Sequence, residues 1–135
     1  MSDDCFVDSC VAIYALDPNS NKRDIAAPLL KGRPYISTQV VLETVNVLMK
    51  KLGYGKHNAF EQGRFLMRST RLVYLTDQTM LHGFTISERY QLSHWDSMIV
   101  EAAVEAGCET LYSEDLKHGQ VIEVVTIQNP FLRLG

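Results

Sequence analysis

The stretch Cys5-Phe6-Val7-Asp8-Ser9-Cys10-Val11-Ala12 decides the fold, because a short apolar run passes directly into the start of a helix. Residues 5–7 have the length and character of a buried strand. The polar Asp8-Ser9 pair ends that strand, and Ser9 is the predicted N-cap of a helix that continues to Leu16. A strand followed at once by a helix is the first unit of an α/β fold.

The same alternation of short apolar runs and longer helical segments continues through the chain. Further helices are predicted over 22–31, from the cap Thr38 to near Gly53, over 56–68, from the cap Thr76 to about Tyr90, and over 95–106. Strands are predicted at 35–37, 72–75, 110–112 and within 121–127. Strands separated by helices favour a central parallel sheet of four or five strands, covered on both faces. We expect a single domain over residues 1–135.

Composition sets broad limits on function. The 135 residues are 46% hydrophobic and 21% charged, which is ordinary for a soluble globular protein. A net charge of −3 argues mildly against a protein that coats nucleic acid, but it is compatible with acids gathered around a cation. Ser2, Asp3 and Asp4 stand where a signal peptide needs basic residues, and no apolar run reaches the length of a membrane span.

Three cysteines, Cys5, Cys10 and Cys108, lack the spacing of metal ligands and cannot all pair. They are interpreted as small buried hydrophobes in a reducing compartment. We therefore expect a cytoplasmic protein with no membrane partner.

Four acidic residues fall where the carboxyl ends of parallel strands meet. Asp8 follows the first strand, and Asp115 comes just after the strand at 110–112. Glu43 lies in the second turn of the helix after the second strand, and Asp96 lies in the first turn of the helix near Trp95. Ligand sites of α/β folds form along this edge of the sheet. The topology therefore predicts that all four acids share one edge.

Crowded carboxylates repel one another unless a cation compensates their charge. Oxygen ligands without His or Cys suit Mg²⁺ or Mn²⁺, and such a cluster could hold one or two ions while a substrate phosphate supplies further ligands. Each acid also has an ordinary interpretation: Asp8 and Asp96 as charges at helix N-termini, Glu43 as a solvated residue, Asp115 as a turn residue. The residues alone leave both interpretations open.

Each of the four acids lies in a longer motif, and a further motif stands in the tail. The motifs are Phe6-Val7-Asp8-Ser9, Ser37-Thr38-Gln39-Val40-Val41-Leu42-Glu43, His94-Trp95-Asp96-Ser97-Met98-Ile99, Leu111-Tyr112-Ser113-Glu114-Asp115-Leu116 and Asn129-Pro130-Phe131. Together they resemble the motifs of PIN-domain proteins, specifically VapC-like toxin endoribonucleases of type II toxin–antitoxin systems. Two departures are Cys10, where the family often has Asn, and Ser97, where Ala is frequent.

The resemblance implies a PIN-like three-layer α/β/α fold and a toxin that hydrolyses RNA phosphodiester bonds by metal-activated water. It implies a small cognate antitoxin, a homodimer and a higher toxin–antitoxin assembly. It assigns Ser9 and Ser113 to positions whose hydroxyls orient an acid or a metal-bound water. It also implies Mg²⁺ or Mn²⁺ held by the catalytic and metal-binding acids Asp8, Glu43, Asp96 and Asp115.

Other residues are candidates outside these assignments. Glu114 adjoins Asp115 and could share or take its role. The apolar faces of the helices that contain Val40 and Phe60 suggest surface that a homodimer would bury. Four basic residues could bind RNA phosphates or form an ordinary solvated helix face. These are Arg64, Arg68, Lys50 and Lys51.

Two other functions remain as alternatives. One is a PIN-like module that binds RNA or protein without catalysis. The other is a Mg²⁺-dependent signalling domain in which an Asp accepts a phosphoryl group. That chemistry needs paired acids at the first strand, a lone Asp in the middle of the domain and a Lys late in the chain. Glu43 inside a helix does not fit this pattern.

Overall fold

The computed structural model describes residues 4–132. Residues 1–3, on which part of the signal-peptide argument rests, lie outside the described residues. The strands are β1 Cys5–Val7, β2 Tyr35–Ser37, β3 Arg71–Val73, β4 Thr110–Tyr112, β5 Val121–Ile122 and β6 Val125–Gln128. The helices are α1 Ser9–Leu16, α2 Arg23–Lys31, α3 Thr38–Lys50, α4 Lys56–Ser69, α5 Asp77–Tyr90 and α6 His94–Glu105.

The strands form one sheet in the order β3-β2-β1-β4-β6-β5, parallel except for the β5–β6 pair. This confirms the predicted α/β class, but the prediction of four or five strands was wrong, because the described part of the chain forms six. The segment 121–127 contributes two strands instead of one. Glu123 adopts a left-handed conformation with φ of 56°, and the chain reverses there into an antiparallel hairpin.

The N-cap residues of α1 and α3 each differ from the sequence prediction by one residue. Asp8, rather than Ser9, is the N-cap of α1, and Ser37, rather than Thr38, is the N-cap of α3. The Thr38 hydroxyl accepts instead from the backbone N–H of Leu75, 3.1 Å away. That bond belongs to the turn that leaves β3, which ends at Val73 rather than at the predicted position 75. Thr76 caps α5 as predicted.

The helices flank the sheet in a three-layer arrangement, with α5 packed on α6 and α1 packed on α2 and α3. Between the layers, the strand side chains that form the core are fully buried: Phe6, Ile36, Leu111 and Ile127. None of the helices within residues 4–132 combines the length and the apolar character that a membrane span needs.

The α3–α4 pair has its own small core around Val45, Leu48 and Ala59. Gly63 of α4 faces this core, and a methyl group there would lie 2.8 Å from Cγ2 of Val45. Because α3 carries Glu43, this packing sets the position of one of the predicted site acids.

We expect Gly63→Ala to lower the free energy of unfolding by about 1 kcal/mol. The added methyl group meets a stiff β-branched side chain, and such overpacking costs about 1–3 kcal/mol, more than alanine gains in helix propensity. Urea unfolding measures the change.

Gly83→Ala on α5 is the matched control. Its new methyl group would lie closest to Sδ and Cε of Met98, the far end of a flexible side chain, and at an ordinary contact distance of 3.6 Å from the Ser97 carbonyl oxygen. We expect it to be neutral or stabilising. Equal losses for both variants would contradict the assignment of Val45 as the constraint.

Candidate metal centre

Asp8 is held at the centre of the sheet edge by the parallel pairing of β1 with β4, in which Val7 lies opposite Tyr112. Its backbone N–H donates to the carbonyl of Tyr112 over 3.0 Å. The side-chain oxygens each accept a bond, Oδ1 from the N–H of Ser9 at 2.7 Å and Oδ2 from the hydroxyl of Ser113 at 2.8 Å. The carboxyl group is thus fixed in direction, and only 4% of the residue is exposed.

The environment of Asp8 disfavours a negative charge. Burial raises the pKa of its carboxyl group to about 7, although the bonds from Ser113 and Ser9 lower it. The charges of Asp115 and Glu43 raise the pKa further. Both hydrogen-bond donors on Asp8 are neutral groups, so neither compensates its charge. A cation bound beside this carboxyl group would favour its ionised form.

Asp115 is the second acid of a central cluster that also contains Asp8 and Cys10. Its N–H donates to the hydroxyl of Ser113 at 3.1 Å, so one serine positions both acids. Oxygens of Asp8 and Asp115 and the sulfur of Cys10 lie within 4.8 Å of one another, the one cluster of metal-ligating side chains found among residues 4–132. Burial raises the pKa of the Asp115 carboxyl group, and the charges of Glu114 and Asp96 raise it further.

Cys10 lies inside this cluster, which the sequence prediction of a small buried hydrophobe missed. It is half-buried, and burial together with the charge of Asp8 raises the pKa of its thiol to about 12. The thiol therefore stays protonated at neutral pH. Its sulfur accepts from the N–H of Glu114 at 3.5 Å, and its hydrogen bond lowers the pKa of Asp115.

Glu43 and Asp96 lie outside the 4.8 Å group but at the same edge. The charge of Glu43 acts on Asp8, and the charge of Asp96 acts on Asp115. Both acids are half-buried in the first two turns of their helices. The charges of the four predicted acids therefore act on one another, and ligand atoms of Asp8 and Asp115 lie within 4.8 Å of each other.

Gln39 positions Glu43 and was not identified from the sequence. Its Nε2 donates to Oε2 of Glu43 at 3.2 Å and to the backbone carbonyl of Trp95 at 3.0 Å. One amide thus ties α3 to the first turn of α6, the two helices that carry Glu43 and Asp96. The spacing of four residues between Gln39 and Glu43 was the available signal, since such pairs are neighbours on a helix.

Glu114 is engaged elsewhere. Its Oε2 pairs with Nζ of Lys22 at 2.7 Å, and its Oε1 accepts from the Tyr14 hydroxyl. Burial raises the pKa of this carboxyl group, but the bonds from Lys22 and Tyr14 outweigh it and hold the pKa below its usual value. The Lys22 ammonium also lies over the rings of Tyr14 and Phe131, 4.7 and 5.5 Å from their centroids. Both oxygens of Glu114 are therefore committed to this network.

The candidate RNA-binding residues lie on the α3–α4 pair. Lys50 and Lys51 are exposed at the end of α3, about 10 Å along the helix from Glu43 at 1.5 Å per residue. Arg64 and Arg68 are exposed one turn apart on α4, and Arg64 pairs with Glu61 at 2.5 Å. These four basic side chains are thus exposed on the α3–α4 pair and are not part of the Asp8–Cys10–Asp115 cluster.

The family model of the PIN domain matches residues 5–123, a span that includes all four acids. The chain belongs to the PIN-domain family. A comparison with curated proteins gave no match.

Solved structures share the fold of this PIN domain at low sequence identity. A VapC toxin of Mycobacterium tuberculosis that cleaves the sarcin–ricin loop is 18% identical, with a TM-score of 0.69 over 82% of this chain and 88% of that one. A chain of a toxin–antitoxin complex from Klebsiella pneumoniae is 15% identical, with a TM-score of 0.71 over 94% and 98%. A chain of the DNA-bound VapBC complex of Salmonella typhimurium is 16% identical, with a TM-score of 0.68 over 93% and 96%.

The donor set of this PIN domain fits a hard divalent cation. Its ligand oxygens come from carboxylates, which Mg²⁺ and Mn²⁺ prefer, and the one sulfur nearby stays protonated. The buried Asp8 lacks a charged partner among its hydrogen-bond donors, and a cation would supply one.

We expect Asp8→Asn to stabilise the metal-free protein at pH 8 by at least about 1 kcal/mol. The folded-state pKa of Asp8, about 7, is above the ordinary 3.8, so unfolding releases a proton between these values. The Asp8 contribution to wild-type stability therefore falls as pH rises from about 4 to 7 and stays low above that. Urea unfolding in EDTA at pH 4 and pH 8 measures the difference, which should shrink at pH 4. A variant that is less stable than wild type at both pH values would contradict this account.

We expect Asp115→Asn to abolish the rise in Tm that Mn²⁺ produces, whereas Glu114→Gln retains it. Asp115 points its oxygen at Asp8, but both oxygens of Glu114 bind Lys22 and Tyr14. Thermal unfolding with and without Mn²⁺ reports the binding directly. The opposite pattern would assign the ligand role to Glu114.

Proposed function

We propose that this chain is a Mg²⁺- or Mn²⁺-dependent endoribonuclease that acts as the toxin of a toxin–antitoxin pair. The observation that carries the proposal is the buried carboxyl group of Asp8, surrounded by Asp115, Glu43 and Asp96 and bonded only to neutral donors. Such a group is costly to a protein that does not use it. PIN-domain membership makes a nuclease the favoured use.

In this proposal Asp8 and Asp115 bind the cation directly, and Glu43 and Asp96 complete the ligand set for one or two ions. The bound cation would supply a water of lowered pKa and would stabilise charge on the leaving oxygen of the phosphodiester. Ser113 and Ser9 act on Asp8, because their bonds hold its two oxygens in fixed directions. Gln39 does the same for Glu43.

The side chains near the cluster favour attack by water over a covalent intermediate on the protein. Cys10 remains a thiol at neutral pH, and the thiolate is the nucleophilic form of cysteine. Asp8 is nearly fully buried and both its oxygens accept hydrogen bonds, which disfavours its use as a phosphoryl acceptor.

In this proposal RNA phosphates outside the cleavage point bind to four exposed basic residues, which are Lys50, Lys51, Arg64 and Arg68.

Two surfaces support the proposed protein partners. A groove of about 660 Å³ between α1, α2 and α4 has apolar walls at Leu16, Leu30 and Phe65. Its charged lining consists of the basic residues Arg23 and Lys31 and the acid Glu61, which pairs with Arg64. An antitoxin segment with apolar and acidic side chains would fit it, in line with the toxin–antitoxin complexes among the structural neighbours.

Exposed apolar residues on α3 and α4, among them Leu42 and Phe60, are the surface that we assign to a homodimer. Light scattering measures this association directly. We further propose that residues 1–135 form a single domain and that it works in the cytoplasm.

Expression of the chain in bacterial cells should stop growth and create new RNA 5′ ends at a defined site. Asp96→Asn should reduce cleavage by at least about 100-fold, because it removes a charge from the cation site. Purified protein should cleave the same RNA with Mg²⁺ or Mn²⁺ and lose activity in EDTA. Co-expression of the cognate antitoxin should restore growth.

Glu109→Gln is the matched control. Glu109 is an exposed acid that immediately precedes β4, so it lies at the amino-terminal ends of the parallel strands, opposite the acids. It should cleave RNA like wild type. RNA ends that are identical in wild type and in Asp96→Asn would refute the proposed activity. RNA binding without cleavage in every metal would instead assign the chain to the non-catalytic PIN modules.

A further inference from the structure

Trp95 leaves most of a large apolar side chain in water, and its neighbour in sequence is one of the four acids. It lies in the first turn of α6, immediately before Asp96, and 60% of the residue is exposed. The side chain next to it in sequence therefore belongs to the proposed cation site. Tryptophan in such a position usually has a binding partner.

The position of Trp95 is set by two contacts. Its backbone carbonyl accepts from Nε2 of Gln39 at 3.0 Å, and the same amide donates to Glu43. Its ring lies against the ring of His94, with centroids 4.6 Å apart and planes at 41°. One hydrogen-bonded unit thus carries the exposed indole and two of the four acids.

We propose that Trp95 is a stacking platform for an unpaired base of the RNA next to the phosphate that is cut. This inference rests on the proposed ribonuclease function and adds to it the residue of this chain that would hold a base. The acids act on the phosphate, which carries no information about the base. A nucleotide beside that phosphate needs an apolar surface for its base, and stacking on an aromatic ring supplies one for any base.

Other aromatic residues fit this role less well. Tyr14 donates its hydroxyl to Glu114, and its ring packs edge-on against Phe131 at 5.3 Å. Phe60 and Phe65 are exposed on α4, where Phe65 borders the groove that we assign to the antitoxin. Trp95 adjoins an acid in sequence and shares a hydrogen-bonding residue with another.

The fluorescence of Trp95 provides a direct test, because it is the only tryptophan of the chain. We would titrate the inactive Asp8→Asn protein with a short unpaired oligoribonucleotide in Mg²⁺. Stacking of a base should quench the fluorescence, and an oligomer with the same backbone but abasic positions should not. Anisotropy of a labelled RNA gives the affinity independently.

In the same background, Trp95→Ala should weaken RNA binding about 10-fold, whereas Trp95→Phe should retain most of the affinity because it keeps an aromatic face. Phe84→Ala is the matched control, an exposed aromatic residue on α5. It should bind RNA normally. Circular dichroism and light scattering verify that each variant keeps its fold and its mass.

Binding without quenching, or unchanged affinity in Trp95→Ala, would overturn the inference. A change from dimer to monomer in Trp95→Ala, without quenching in the parent, would assign the indole to a contact between copies and also overturn it. The experiments distinguish failure of the stacking role of Trp95 from failure of the proposed ribonuclease function. Quenching by an RNA that the wild-type protein does not cut supports stacking and counts against the ribonuclease, whereas cutting without quenching does the reverse.

Discussion

The parallel pairing of β1 with β4 is the constraint on which the site depends. Its register sets Val7 opposite Tyr112, so Asp8 and Ser113 leave the sheet side by side although they are 105 residues apart. The Ser113 hydroxyl then bonds to Asp8 and accepts from the N–H of Asp115. A shift of one residue in this register would turn these side chains to the other face of the sheet and disperse the group.

The charge of Asp8 lowers the stability of the metal-free fold, although the proposed cation site needs that charge. Asp8 also caps α1, so the residue that begins the first helix is one whose charge is disfavoured by burial. Burial and like charges oppose its ionisation, and a divalent cation relieves both effects at once. The unfavourable free energy of this buried charge falls on Asp8, and proteins commonly lose local stability in this way at functional sites. Gln39 extends the site from the sheet edge to α3 and α6 without adding charge.

Much of the fold follows from local pattern. The strands at 5–7, 35–37 and 110–112 and the cap at Thr76 agree with the prediction, because each combines a clear apolar run or a capping side chain with a definite boundary. The errors arose where two adjacent residues had similar propensity, as at Asp8-Ser9 and Ser37-Thr38, and where one segment held a hairpin. Glu123 is not a typical residue for a left-handed turn, so the sequence carried little sign of the sixth strand.

The sequence by itself determined the α/β class and the gathering of four acids at one edge, because strand–helix alternation places the residues that follow parallel strands together. The motifs around those acids indicated the PIN family. Only the tertiary structure decided how the acids divide: Asp8 and Asp115 lie within ligand distance of each other, and Glu114 is diverted to Lys22 and Tyr14. It also revealed Cys10 inside the cluster and Gln39 between Glu43 and Trp95. These outcomes depend on side-chain direction, burial and contacts between distant segments, which spacing along a chain does not encode.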